Sequence, residues 1–589
     1  MEKERLCMGG QQSEKGVASG VVKGIVKISI ILLSLYLIYQ SGILKTTEAY
    51  RDFPVIGSRL AVWIVAELHL LFAAFVLAVP IFAVIAEYVG YTSKDERYDK
   101  LAKEMTKLLA AAFTITAILG SVLFLLIVGL YPEFFKYMKG IFSITIPFYV
   151  FFILGEVFFG YLYWFSWDRL KDNKKLHILI GIGLNFFGTA IMFTANAWGQ
   201  FMLTPGGIAE TGELLSIWGA IKTYTWMPMN VHRFIANIAF GGFVVAAYAA
   251  YRFLGSSTKE EKAHYDWMGY VGNFIGLAGL IPLPFAGYWM GREVYIYNEQ
   301  LGITMMGGIF SWLFVIQAVL ILVLFLGANY YLWLGMGRIP GGERYSKYRL
   351  PMLIILIICF AVWMTPHSLV GSPEELRAIG ATFHPVLGVL GVMSAKNTAV
   401  NLVILTTFFS FLLYKRANIE ATVSWEKTGK TIQSLILLLA ALVVIALGVY
   451  GYFVPAVVRV GLSIPQVEAV LFAIVSVTII DIFLFRNAKS LGEFKWGDMP
   501  NRSQYTLITL ASGAVLLMGL MGYFRSASRQ AWHVFGAMKD THPGFWTPSL
   551  GEASMYVGII VFAFYLLVAL VFWWGVERGK VGGEEVENK

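Results

Sequence analysis

Cysteine is almost missing from this chain: Cys7 and Cys359 are the only two among 589 residues. Two thiols cannot build a disulfide framework, and without a CxxCH motif there is no place for covalently attached haem. Charge is scarce as well. Asp, Glu, Lys and Arg make up 14% of the sequence, against roughly 25% in soluble domains. Together with 58% hydrophobic residues and a mean hydropathy of +0.67, this excludes an ordinary soluble globule. The apolar runs are long and do not alternate with polar residues. Each run of about 20 residues spans a bilayer core of roughly 30 Å, and lipid leaves only helices or closed barrels as ways across. The expected fold is therefore an all-α polytopic membrane protein.

The runs place spans at 23–43, 58–90, 104–131, 141–166, 175–200, 227–253, 267–290, 305–335, 349–370, 384–414, 430–453, 465–485, 503–524 and 553–576, about fourteen in all. Lys and Arg alternate between successive loops as the retention of positive charge in the cytoplasm requires. Lys94, Arg97, Lys100 and Lys103 fall on one side with Arg169, Lys171, Lys174 and Lys175, and later with Arg338, Arg344, Lys347 and Arg349. Opposite them, 201–226 has only Lys222, 291–304 only Arg292 and 454–464 only Arg459. Both termini are thus expected in the cytoplasm, with a prokaryotic inner membrane as the setting. Loop asymmetry accounts for the net charge of +9, so no nucleic-acid partner is implied. The run 23–43 reads as a retained helix, and the acidic tail GKVGGEEVENK as disordered.

Histidine is the next scarcity, with eight in the chain. His69, His232, His367, His384, His533 and His542 gather at the outer side of the membrane. His177 and His264 fall at the cytoplasmic side among Lys and Glu, where plain solvation is the expected state. Ionisable residues inside a membrane are functional candidates, and haem iron takes His, often with a second His or Met. A single intramembrane His reads equally as a packed residue bonded to a carbonyl; the shared depth of His69 and His232 favours haem. Glu67 and Lys396 fit either as hydrogen-bond or propionate partners or as polar helix contacts. Lys396, Asn397 and Asn401 share one helix face, and His384 reads as a haem ligand or an outer packing residue. In the last outer loop His533 is a candidate axial ligand and Arg529 a propionate partner, unless the loop is an interfacial aromatic belt. The stretch GEVFFGYLYWFSWDRL, 155–170, sets a lone carboxylate, Glu156, in an aromatic run.

Five stretches in order, HLLFAAFVLAVPIFAVIAEYV (69–89), GEVFFGYLYWFSWDRL, FTANAWGQ (193–200), NVHRFIANIAFGGF (230–243) and SRQAWHVFG (528–536), resemble subunit I of cytochrome bd quinol oxidases. The resemblance covers about 58–340 and 503–576. It implies that His69 ligates an oxygen-reactive haem d, that His232 ligates a low-spin haem b, and that Glu156 helps conduct protons from the cytoplasm. Arg529, Gln530 and Trp532 match the family spacing of the outer loop. Departures are marked. Phe148 stands where the family has a second Glu, 518–522 reads MGLMG where a haem-ligating Glu is expected, Met306 is the candidate partner of His232, and the loop 291–304 is short where quinol is held in the family. The chain then divides into 1–57, a tail with an extra helix; 58–345, a haem-binding bundle; 346–502, additional helices; and 503–589, the closing helices with their outer loop.

These features lead to a haem b membrane subunit of a respiratory complex, carrying more than one haem, with haem d as a further possibility. It would exchange electrons between quinol and an outer-face redox partner such as a c-type cytochrome, alongside other subunits including a second membrane subunit. A divergent quinol oxidase reducing oxygen to water is the alternative, and a haem-free transporter the third reading, supported by interrupted segments such as IPLPFAGYWMG.

Overall fold

The computed structural model describes residues 49–306, 310–367, 377–378, 386–542 and 550–572. Thirteen of its helices are long and apolar enough to cross a bilayer, and each coincides with one of the expected runs. The helical, polytopic membrane architecture is therefore borne out. The run 23–43, the acidic tail and His384 lie outside the described residues.

The chain forms two compact units. The first takes residues to Gly241 together with Arg529–Thr547 and the chain from Tyr556. It contains α1 (Ser58–Ser93), α2 (Glu96–Leu130), α3 (Pro132–Phe142), α4 (Thr145–Phe165), α5 (Lys174–Phe201) and the beginning of α6 (Trp226–Gly255). At 36 residues, α1 is about 54 Å long, enough to pass beyond the hydrocarbon on either side. Lys94 ends it in a left-handed conformation, and the Asp95 carboxylate then accepts from the Arg97 amide to start α2. This two-residue connection lays the helices side by side. Asn173 caps α5 in the same manner, accepting from Leu176. One end of the unit is closed by a core of Met138, Ile141, Phe142, Ala197, Phe201, Ala220 and Val534. Val534 belongs to a short antiparallel hairpin, Trp532–Val534 with Met538–Lys539, which is anchored to α5 by the Phe535 amide donating to the Met202 carbonyl.

The second unit takes Gly242–Ser528 and Pro548–Met555. After the remainder of α6 come α7 (Lys259–Leu280), α8 (Leu283–Tyr297), α9 (Glu299–Met306), α10 (Ser311–Gly335), α11 (Arg349–Trp363), α12 (Met393–Arg416), α13 (Glu426–Tyr450), α14 (Ser463–Leu484) and α15 (Asn501–Ser528). The expected span 267–290 is interrupted, because Pro282 has no amide to continue the ladder and α8 starts just beyond it. Ile404, Leu405, Ala440, Val444, Val470 and Ala473 join α12, α13 and α14. Between α6 and α7 the backbones themselves touch. A Cβ on Gly272 would lie 2.7 Å from the Ala246 amide nitrogen and 2.8 Å from the Gly242 carbonyl oxygen, the close approach that small residues permit between membrane helices. Buried ion pairs fasten the basic ends: Asp266 with Arg338, and Asp481 with Arg416 at 2.6 Å and Lys415 at 3.0 Å.

Candidate functional site

The first unit collects most of the residues singled out in the sequence. His69 on α1 rests against α2, where Nδ1 lies 3.1 Å from the Thr116 carbonyl oxygen. A carbonyl only accepts, so Nδ1 carries the proton and Nε2 is the nitrogen with a lone pair to give. One turn on from Thr116, Gly120 leaves the space the ring fills. A Cβ there would lie 2.9 Å from His69 Cε1 and 3.2 Å from Nδ1. Fixing one ring nitrogen on a carbonyl so that the other is presented to a metal is the arrangement that orients ligating histidines.

His232 lies near the start of α6, partly buried. Its neighbour Arg233 bonds to α5, where Nη1 donates to the Asn196 Oδ1 at 2.6 Å, and Glu67 on α1 is within electrostatic reach of its charge. Asn196 in turn donates to Asn230 Oδ1 at 2.7 Å. Glu67 thus lies within reach of a charge on another helix, two residues from His69. One turn beyond Asn196, Gln200 is fully buried, and neither end of its amide has a hydrogen-bond partner among the described residues. The Nδ2 of Asn230 is orphaned in the same way. Buried amides without partners are costly, and they suit a guest with oxygen atoms. His69 Nε2 at the Gly120 recess is of the chemistry that haem iron takes, and the unspent Gln200 and Asn230 donors are of the chemistry that propionates take.

Glu156 on α4 faces Gly188 on α5, where an added Cβ would lie 3.0 Å from the carboxylate Oε1 and 2.9 Å from Leu77. Leu77, Ile81, Thr189, Met192, Phe234 and Asn237 line an adjoining cleft. Its volume, about 10 Å³, is room for roughly one water molecule. Phe148, in place of the family's second Glu, is 59% exposed on the outer face of α4.

In the closing hairpin, Asp540 is the hub. It pairs with Arg59 and lies 3.5 Å from His533 Nε2. Tyr131 and Phe134 flank the His533 ring, and Arg529 Nη1 donates to the His533 carbonyl at 2.7 Å. Burial lowers the His533 imidazole to about 4, against the pull of Asp540. Gln530 turns the chain with a φ of 48°, and Lys539 lies over the Trp532 ring. His542 packs tilted against Tyr50 and approaches Asp52.

The remaining candidates belong to the second unit. Lys396 donates to the Thr365 carbonyl, Asn401 donates back to the Asn397 carbonyl on α12, and Met306 closes α9. Sequence reasoning missed His177. It is 1% exposed rather than solvated, with Nδ1 2.7 Å from the Glu87 carboxylate. The signal was there in its spacing: 177, 181, 184, 188 and 192 form one buried stripe of α5.

The first unit is thus a helical bundle with a carbonyl-fixed imidazole, a second imidazole beside an Arg233 bonded to Asn196, and an internal carboxylate packed on Gly188. Residues 58–311, under half of the chain, match the family described as cytochrome bd terminal oxidase subunit I. The chain is 25% identical over 198 residues to a putative cytochrome bd menaquinol oxidase subunit I of Bacillus subtilis (strain 168). That alignment takes in 33% of this chain and 44% of the relative, so the chain covers under half of the relative's length. The bd oxidase structure from Geobacillus thermodenitrificans has a similar fold, with a TM-score of 0.50 and 14% identity over 89% of this chain and 97% of that one.

Proposed function

We propose that this chain is a haem-carrying, quinol-oxidising membrane subunit of a bd-type respiratory oxidase, with oxygen as the electron acceptor. The observation that carries this reading is His69, held by Thr116 in the recess left by Gly120, in the same unit as Glu156. When bound, haem supplies one-electron carriage between a two-electron quinol and the acceptor. The chain's own residues do the rest. His69 and His232 would offer imidazole nitrogens to iron, Gln200 and Asn230 would donate to propionate oxygens, and Glu156 would hold and release a proton at its carboxylate. A lone carboxylate beside a one-water cleft has a use when protons must reach a site inside the bundle; a conductor of electrons alone has no use for it. His533 we assign to the outer cap with Asp540 and Arg59 rather than to iron.

The build of 283–306 favours a second reading. Here α8 and α9 meet at Asn298, whose side chain accepts from the Leu301 amide at 2.7 Å, so the region is two short helices and not a long quinol-enclosing loop. On that reading the chain passes electrons to an outer-face redox protein, such as a c-type cytochrome. Carbon monoxide separates the two. In an oxidase, a reduced haem held by His69 would bind the gas and its spectrum would shift, with the shift lost in His69→Ala. A reduced protein that carries haem but does not respond to carbon monoxide overturns the oxidase reading, and one without haem overturns both.

A further inference from the structure

At the basic ends of α1, α2, α4 and α5 the first unit contains a graded series of ionisable contacts. Asp99 on α2 is 37% exposed at its side chain and lies 2.5 Å from Lys174 Nζ, which is 16% exposed. Lys174 lies 3.2 Å from the Glu87 carboxylate, which is 0% exposed. The Tyr163 hydroxyl donates to the same carboxylate at 3.0 Å. His177 completes the group: Nδ1 faces both Glu87 oxygens at 2.7 and 2.8 Å, and Nε2 lies 2.9 Å from the Tyr163 carbonyl oxygen. Both ring nitrogens therefore point at acceptors, the geometry of a doubly protonated ring. Tyr163 stacks on that ring and Trp167 meets it edge-on, while Lys174 lies over Trp167. Nearby, Lys103 pairs with the exposed Asp168. Every rung from solvent to Glu87 is within hydrogen-bond reach, and exposure falls at each step.

The series points toward Glu156. Tyr163 and Glu156 lie seven residues apart on α4, which puts them on one face and about 10 Å apart along the axis. On α5, two glycines with the same seven-residue spacing lie beneath them. An added Cβ on Gly181 would be 2.8 Å from the Tyr163 ring, and one on Gly188 would be 3.0 Å from Glu156. Between these glycines α5 carries one polar side chain, Asn185, which donates to the Gly181 carbonyl at 2.9 Å.

We propose that Asp99, Lys174 and Glu87 form the proton intake that recharges Glu156, with Glu87 as the loading carboxylate and His177 as the positioning residue that balances its charge. This rests on the proposed role of Glu156. For each proton that Asp99 takes from water, Lys174 passes one to Glu87, and Glu87 releases one by way of the Tyr163 hydroxyl, Asn185 and intervening water to the Glu156 carboxylate. The series regains its original charge after each passage, and no electrons move. A mere structural clamp would have no need of the exposed Asp99, nor of a hydroxyl shared between the loading carboxylate and the helix that carries Glu156.

The test uses the full-length protein in detergent. The double variant Glu87→Gln with His177→Gln removes one charge of each sign, so no lone buried ion is left, and Asp99→Asn alters only the outermost rung. Transfer of the protein into deuterium oxide is followed at the Glu156 carbonyl stretch by infrared spectroscopy, the band being identified by its loss in Glu156→Gln. Exchange in the double variant should slow by about a hundredfold, the lower end of the scale on which a placed proton donor accelerates transfer, and in Asp99→Asn, which leaves Lys174 and Glu87 in place, by a smaller factor. Millimolar formate or azide, small acids that carry protons themselves, should restore it. Exchange within twofold of the parent in both variants, slowing that small acids do not relieve, or the absence of any Glu156 band overturns the proposal. Because exchange is read without turnover, a parent protein that lacks haem refutes the functional reading while the intake is judged separately.

Discussion

Gly120→Ala is the sharpest perturbation of the candidate haem site, because it touches neither iron nor any charge. The new methyl would lie 2.9 Å from His69 Cε1, whereas carbon atoms in good contact stand about 3.5 Å or more apart. The ring must therefore retreat from α2 by about half an ångström. Its bond to the Thr116 carbonyl, 3.1 Å in the structure, would stretch to about 3.6 Å, where it no longer counts as a hydrogen bond. Losing that bond costs about 1 kcal/mol, and disturbing the residue that orients a ligand lowers metal affinity by about 10- to 100-fold. Haem content by pyridine haemochromogen and the Soret absorbance of the purified variant give the readout, with loss expected at the His69 haem alone. Gly129→Ala is the matched control on the same helix, since its Cβ would meet nothing within 4 Å. Full haem content with an unshifted spectrum in Gly120→Ala would refute the reasoning.

In the second unit, Asp481→Ala leaves Arg416 buried without its carboxylate. Thermal unfolding in detergent should show a loss of about 3–5 kcal/mol, much of it recovered when Arg416→Met is added. Gly272→Leu forces a side chain into the Ala246 and Gly242 backbones and should cost about 1–3 kcal/mol or more. Gly255→Ala, with open space around it, should be neutral in the same melt. The outer cap should be acid-labile. His533 is held near 4, below its ordinary 6.5, so the unfolded chain binds its proton first. This contribution is complete above about pH 6.5 and declines as pH falls toward 4. His533→Gln should flatten that part of the stability profile, and an unchanged slope would show that the imidazole is not buried neutral.

Much of the fold was legible because lipid imposes a simple rule on the sequence. Continuous apolar runs gave the helices, and the break at Pro282 could be read from IPLP. Helix ends were less legible: α12 begins at Met393, whereas hydropathy alone starts the run at 384. For the site, rarity was the guide, since His69 and Glu156 are scarce residue types set in long apolar runs. Partners on distant helices left no such mark. Arg233 reads as a charge near a helix start, and only packing shows that Asn196 bonds to it and that Glu67 is within its electrostatic reach. His177 was misread for the opposite reason. Neighbouring Lys and Asp residues suggest solvent, yet its place on the buried stripe of α5 carries it under Glu87.

The central claim is that imidazoles of the first unit hold haem iron. It is tested most directly by the absorbance of the full-length protein purified from haem-replete cells, alongside His69→Ala and His232→Ala. The account predicts a Soret band and a pyridine haemochromogen in the parent, each variant losing part of both. A colourless parent, or variants as strongly coloured as the parent, would contradict it.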